Sequence, residues 1–166
     1  QSAAEPANRD AYGVVGMIRV ILVDDHAMIR RGLRETLMED SEIRVVGEAG
    51  DYAGFRHLIR ETRCDVLVLD VNLPGRNGIE ILGTLQELAE APRVVVLSQY
   101  PEDQYGIRAL KAGAMAYLNK GAAPSQIVSA VKTVANGKKF VTPEIAAALM
   151  DSVTHNRSES PHDKLS

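Results

Sequence analysis

The 166 residues suit one compact domain with extensions and leave little room for two full domains. With 45% apolar and 25% charged residues the composition is that of a globular chain, while a formal charge of −3 and a pI near 5.8 argue against a direct grip on a nucleic-acid backbone. A single cysteine, Cys64, excludes an intramolecular disulfide framework and makes the cytoplasm the natural compartment, and no apolar run approaches the ~20 residues that a bilayer-spanning helix needs.

Residues 1–16, QSAAEPANRDAYGVVG, are too polar for a secretory signal and read as a disordered or added extension. Five short apolar runs follow: Ile18–Val23, Ile43–Glu48, Asp65–Leu69, Arg93–Leu97 and Met115–Leu118. They are rich in Val, Ile and Leu and hardly alternate, as expected of strands buried on both faces. Helical spacing fills the gaps. In Ala27–Glu39, Ile29, Leu33, Thr36 and Leu37 share one face, with Arg30, Arg31, Arg34 and Glu35 pointing elsewhere. Asn77–Glu90 turns Ile81, Leu82, Leu85 and Leu88 inward, and Pro124–Asn136 repeats the period with Ile127, Ala130, Val131 and Val134. Five strand–helix alternations favour a parallel sheet covered by helices on both faces and joined by right-handed crossovers. Turn signals fall at Pro74-Gly75, Pro101 and Gly121. Beyond Gly137, Thr142-Pro143-Glu144 predicts a capped helix over about 143–153, whose apolar content suggests a segment that could extend across a dimer. The remaining HNRSESPHDKLS reads as a linker.

The polar residues at the strand ends carry the chemistry. In an open parallel sheet, ligands bind beyond the carboxyl ends of the strands, where strand order reverses. The first strand ends in Asp24-Asp25 and the third in Asp70. If those strands are neighbours, three carboxylates meet on one rim, and their repulsion calls for a hard cation such as Mg²⁺. Ser98 ends the fourth strand and Lys120 the fifth. An ammonium, a hydroxyl, a cation site and a carboxylate together suit a bound phosphoryl group.

These motifs resemble the receiver domain of two-component response regulators: "VDDH", "LDVNLPGRNG", "VVLS" and "AGAMAYLNK" occur in the family's order over Met17 to Asn136. The resemblance implies a flavodoxin-like (CheY-like) three-layer α/β sandwich with a five-stranded parallel sheet of order 2-1-3-4-5. It implies that Asp70 accepts a phosphoryl group from a sensor histidine kinase. Asp25, Asp70 and the backbone carbonyl of Asn72 would bind Mg²⁺, Asp24 would hold a metal-bound water, and Lys120 would contact the phosphoryl group. Ser98 would move toward it and Tyr117 would turn inward with it. Finer similarity of "VDDHAMIRRGL", "LSQYPEDQYGIRALKAGAMAYLNKGA" and "NGKKFVTPEIAAALM" is to the NarL/FixJ branch, whose members carry a LuxR-type helix-turn-helix. The expected organisation is therefore a receiver over 17–137 and a linker over 138–166 leading to a DNA-binding domain absent from this chain. Phosphorylation-promoted homodimers of that branch form through the first and fifth helices, or through the fourth helix, fifth strand and fifth helix. DNA would be contacted only through the absent domain, and a membrane not at all. Two rivals remain: an enzyme turning over phosphate esters, disfavoured because Asn72 offers no general acid, and a degenerate receiver acting through protein contacts alone. His26 is expected to cap the first helix or border the pocket.

Overall fold

Strands apolar on both faces are satisfied only inside a sheet covered on each side, and the chain builds that arrangement. The computed structural model describes residues 17–100, 105–151 and 153. The expected extension over 1–16, the turn at Pro101 and the linker beyond Val153 lie outside them.

The strands are β1 (Ile18–Val23), β2 (Ile43–Ala49), β3 (Val66–Asp70), β4 (Asn72–Leu73), β5 (Arg76–Asn77), β6 (Arg93–Ser98) and β7 (Ala116–Asn119). The helices are α1 (Ala27–Met38), α2 (Tyr52–Glu61), α3 (Gly78–Leu85), α4 (Ile107–Lys111) and α5 (Pro124–Ala135), with a further helix, α6, over 143–151. The main sheet is parallel in the order β2-β1-β3-β6-β7. Without the small β4–β5 hairpin this is the expected 2-1-3-4-5. That hairpin, pairing Asn72 with Asn77 and Leu73 with Arg76, was not anticipated because two-residue strands leave no periodicity to read.

Side chains alternate between two cores, as the two-residue period of a strand requires. Val20, Leu22, Val66, Val68, Val95 and Leu97 meet Leu33 and Leu37 of α1 and Ile127, Val131 and Val134 of α5. Ile21, Val23, Leu67, Leu69, Val94 and Val96 meet Phe55 of α2, Ile81, Leu82 and Leu85 of α3 and Ala109 of α4. Each of the larger of these side chains contributes on the order of 1.5–3 kcal/mol by leaving water.

One inward residue was misplaced by the sequence pattern. α3 stops at Leu85 instead of running to Glu90, and Leu88 is 44% exposed. Short i→i+3 bonds, Glu87 N–H to Thr84 and Leu88 N–H to Leu85, tighten the chain there, so Leu88 leaves the helical period as the backbone returns toward β6.

After α5 the chain folds back on the sheet edge. Phe140 N–H donates to the Met115 carbonyl at 2.9 Å and Phe140 bridges Ala116 of β7 in parallel. Thr142 caps α6, its Oγ1 accepting from Ile145 N–H at 3.2 Å. Ile145 is fully buried and Leu149 packs beside it against the second core. Ile145 and Leu149 of α6 are thus used within the same chain, while Met150 is 69% exposed.

Candidate functional site

Register places the site. β1 and β3 pair Val23 with Leu69, so Asp24 and Asp70, one residue on, emerge side by side. β3 and β6 pair Asp70 with Leu97, and β6 and β7 pair Ser98 with Asn119. Lys120 N–H donates to the Ser98 carbonyl at 2.8 Å, fixing the lysine at the same rim. The loop after Asp70 is held by a close approach. Gly78 N–H donates to the Val71 carbonyl at 2.6 Å, and a Cβ on Gly78 would lie 2.6 Å from Val71 Cα. Only glycine allows α3 to start that near the loop.

Asp24, Asp25, His26 and Asp70 bring one ligand atom each to within 4.8 Å of one another. Asp24 and Asp70 are buried, at 2% and 3% exposure, and Asp25 is open to solvent. Lys120 Nζ donates to Asp70 Oδ2 at 3.1 Å and lies 3.0 Å from Asp24 Oδ2. The second approach leaves the buried Asp24 Oδ2 compensated by the charge of the ammonium. Asp70 Oδ1 accepts from Asn72 N–H at 3.1 Å. Burial pushes the Asp70 carboxyl above its ordinary pKa, assisted by the charge of Asp24 and opposed by Asn72 N–H and Lys120. Burial alone would lower Lys120, but the hydrogen bonds and charges of Asp24 and Asp70 outweigh it and the ammonium is held above its usual value. Two buried carboxylates share one ammonium, and with Asp25 and His26 alongside they form an acidic cluster that could hold a metal ion.

His26 occupies the N-cap position of α1 but makes no side-chain cap bond. Its Nδ1 lies 3.2 Å from Asp24 Oδ1 and 3.1 Å from Asp25 Oδ1, so the imidazole borders the pocket. Ser98 is buried, and its Oγ accepts from Tyr100 N–H at 2.9 Å. Tyr117 is fully buried and turned inward, its hydroxyl donating to the Tyr100 carbonyl at 3.3 Å.

The helical period tells of Arg30 only that it points away from the apolar face of α1. Its guanidinium donates to the Asp24 carbonyl and, through Nε at 3.3 Å, to Glu48 of β2, tying the acidic turn to the sheet. A half-buried arginine at the pocket end of α1 leaves no trace in apolar periodicity, so only the structure reveals this partner.

The sequence profile of the response regulator receiver domain matches residues 20–132. Response regulator UvrY of Escherichia coli (strain K12) is 33% identical over 151 residues, which cover 90% of this chain and 69% of that protein. The DNA-binding transcriptional activator DevR/DosR of Mycobacterium tuberculosis is 41% identical over 134 residues, 81% of this chain and 62% of that protein. The crystal structure of a LuxR-family two-component response regulator from Aurantimonas sp. SI85-9A1 superposes with a TM-score of 0.77 at 30% identity, covering 84% of this chain and 99% of that one. With the strand order, the acidic rim and these relatives in agreement, the chain belongs to the response regulator receiver family, and within it to the receivers of NarL/LuxR-type two-component regulators.

Proposed function

We propose that Asp70 is the phosphoacceptor, loaded in the cytoplasm by the phosphohistidine of a sensor kinase. The observation that carries this reading is the Lys120 ammonium held between the buried carboxylates Asp24 and Asp70, at 3.0 and 3.1 Å. An Asp70 oxygen attacks phosphorus, the P–N bond breaks, and the departing imidazole nitrogen keeps the electron pair and takes up a proton. The product is an acyl phosphate on Asp70.

Lys120 neutralises one phosphoryl oxygen and Ser98 offers its hydroxyl to another. Asp25, Asp70 and the Asn72 carbonyl would hold Mg²⁺, with Asp24 reaching it through water. When bound, the ion neutralises charge that builds on the transferred group. The chain acts stoichiometrically, as a signalling domain and not a turnover enzyme. Loading promotes homodimerisation and, in a full-length protein, DNA binding through a C-terminal helix-turn-helix.

Acetyl phosphate with Mg²⁺ tests the chemistry by intact mass. The wild-type chain gains one phosphoryl group, whereas Asp70→Asn or chelation of Mg²⁺ abolishes the gain. No adduct on the wild type would leave a degenerate receiver, and continuous hydrolysis of a generic phosphate ester would mean an enzyme.

A further inference from the structure

β7 is an edge strand, so Tyr117, near its middle, needs a cover that the sheet cannot supply. Helix α6 supplies it. Ile145 is fully buried in the same core as Tyr117, with Leu149 packed alongside. Gly106 makes the seat: a Cβ there would lie 2.9 Å from Ile145 Cδ1 and 3.3 Å from Tyr117 Cδ2. Its backbone is ordinary helix (φ −60°, ψ −45°), so glycine serves here by the space it leaves and not by its conformation: an added Cβ would push the Ile145 side chain aside.

A chain of contacts joins this seat to the acidic rim. The Tyr117 hydroxyl donates to the Tyr100 carbonyl, and Tyr100 N–H donates to Ser98 Oγ. The Tyr100 ring stacks on Tyr105, beside Gly106, with centroids 4.4 Å apart. A serine hydroxyl has one donor and two acceptor positions. Ser98 can therefore keep accepting from Tyr100 while giving its proton to a phosphoryl oxygen on Asp70. A hydroxyl that donates becomes a better acceptor, so loading tightens the Ser98–Tyr100 bond and with it the backbone that holds Tyr117.

We propose that α6 is an internal ligand of this face, and that its docking against Gly106 and Tyr117 and phosphoryl loading of Asp70 favour each other. The inference rests on the phosphoacceptor reading given above. Reciprocity then requires that whatever factor docking adds to loading, loading adds to docking.

Amide hydrogen exchange of the full chain, with and without beryllofluoride and Mg²⁺, reads docking directly. Exchange across 143–151 should slow at least about fivefold on loading, the lower end of ordinary coupling. In Ile145→Ala, and independently in Gly106→Ala, which leaves the strands intact, beryllofluoride affinity should fall by a similar factor. Fluorine NMR of the bound beryllofluoride separates the two claims. Loading of the wild type with no added protection over 143–151, or unchanged affinity in both variants, overturns the coupling and leaves the phosphoacceptor reading in place. No bound fluoride signal in the wild type overturns both.

Discussion

The two helical layers do different jobs. Against α1 and α5 the sheet presents an aliphatic face, Val20, Leu22, Val66, Val68 and Val95, closed by Leu33, Leu37, Ile127 and Val131. The core it shares with α2, α3, α4 and α6 also holds Phe55, Tyr100, Tyr105 and Tyr117. Among the described residues, only the second core contains tyrosines hydrogen-bonded toward Ser98. Close-packed hydrocarbon transmits little that is discrete, because it has one good arrangement. A hydroxyl chain with a removable cover has two. The first layer should therefore set stability and the second should set response.

The largest test of that division is Leu37→Ala. Leu37 is fully buried between α1 and the sheet, and truncating it should cost about 2–5 kcal/mol, read as a lower denaturant midpoint. The folded fraction should still gain a phosphoryl group from acetyl phosphate and still slow exchange over 143–151 when loaded. Loss of that response in folded Leu37→Ala would show that the first layer also carries signal.

The same contrast explains what the sequence could disclose. Asp24, Asp70, Ser98 and Lys120 were legible because each ends a run of apolar residues, and a parallel sheet gathers such ends on one rim. The inward stripe of α5 was legible for the same reason, since Ile127, Ala130, Val131 and Val134 repeat at helical period and are all buried. Leu88 misled because the period continues past Leu85 in sequence while the backbone does not. Arg30, Gly106 and Ile145 were hidden for another reason. Their roles depend on which distant residue they meet, the Asp24 carbonyl for one and Tyr117 for the others, and no local pattern records a partner.

A smaller effect is expected from Tyr117→Phe. The substitution keeps the ring against Ile145 and removes only the hydroxyl that donates to Tyr100 at 3.3 Å, a loss of about 1 kcal/mol. Unloaded protection of 143–151 should change little, while its increase on beryllofluoride binding should shrink. An unaltered increase would mean that the signal passes through the Tyr100–Tyr105 stack and not through the hydroxyl.

The smallest effect belongs to the first layer's surface. Lys132 of α5 reaches Asp40, just past α1, at 3.0 Å and Glu42 at 3.2 Å, along an open groove of about 750 Å³ that Val128 also lines. The Glu42 N–H bond first, and Lys132 second, hold the Asp40 carboxyl below its ordinary value of 3.8. Hydrogen bonds from Lys132 to Asp40 and Glu42 raise the lysine above its ordinary 10.5. A lowered carboxylate binds fewer protons folded than unfolded, so its contribution is complete above 3.8 and is lost as pH falls through the folded value. The raised lysine contributes fully below 10.5 and loses that contribution as pH rises through its folded value. Asp40→Asn should therefore lower Tm slightly at neutral pH, by an amount that shrinks in high salt and vanishes in strong acid. Because this pair clamps α1 to α5 on the far side of the sheet from Tyr117, beryllofluoride affinity should not change. If it does, the ion pair reaches the rim through α1 and the Arg30 bond to Asp24, and the first layer is then a second route for the signal.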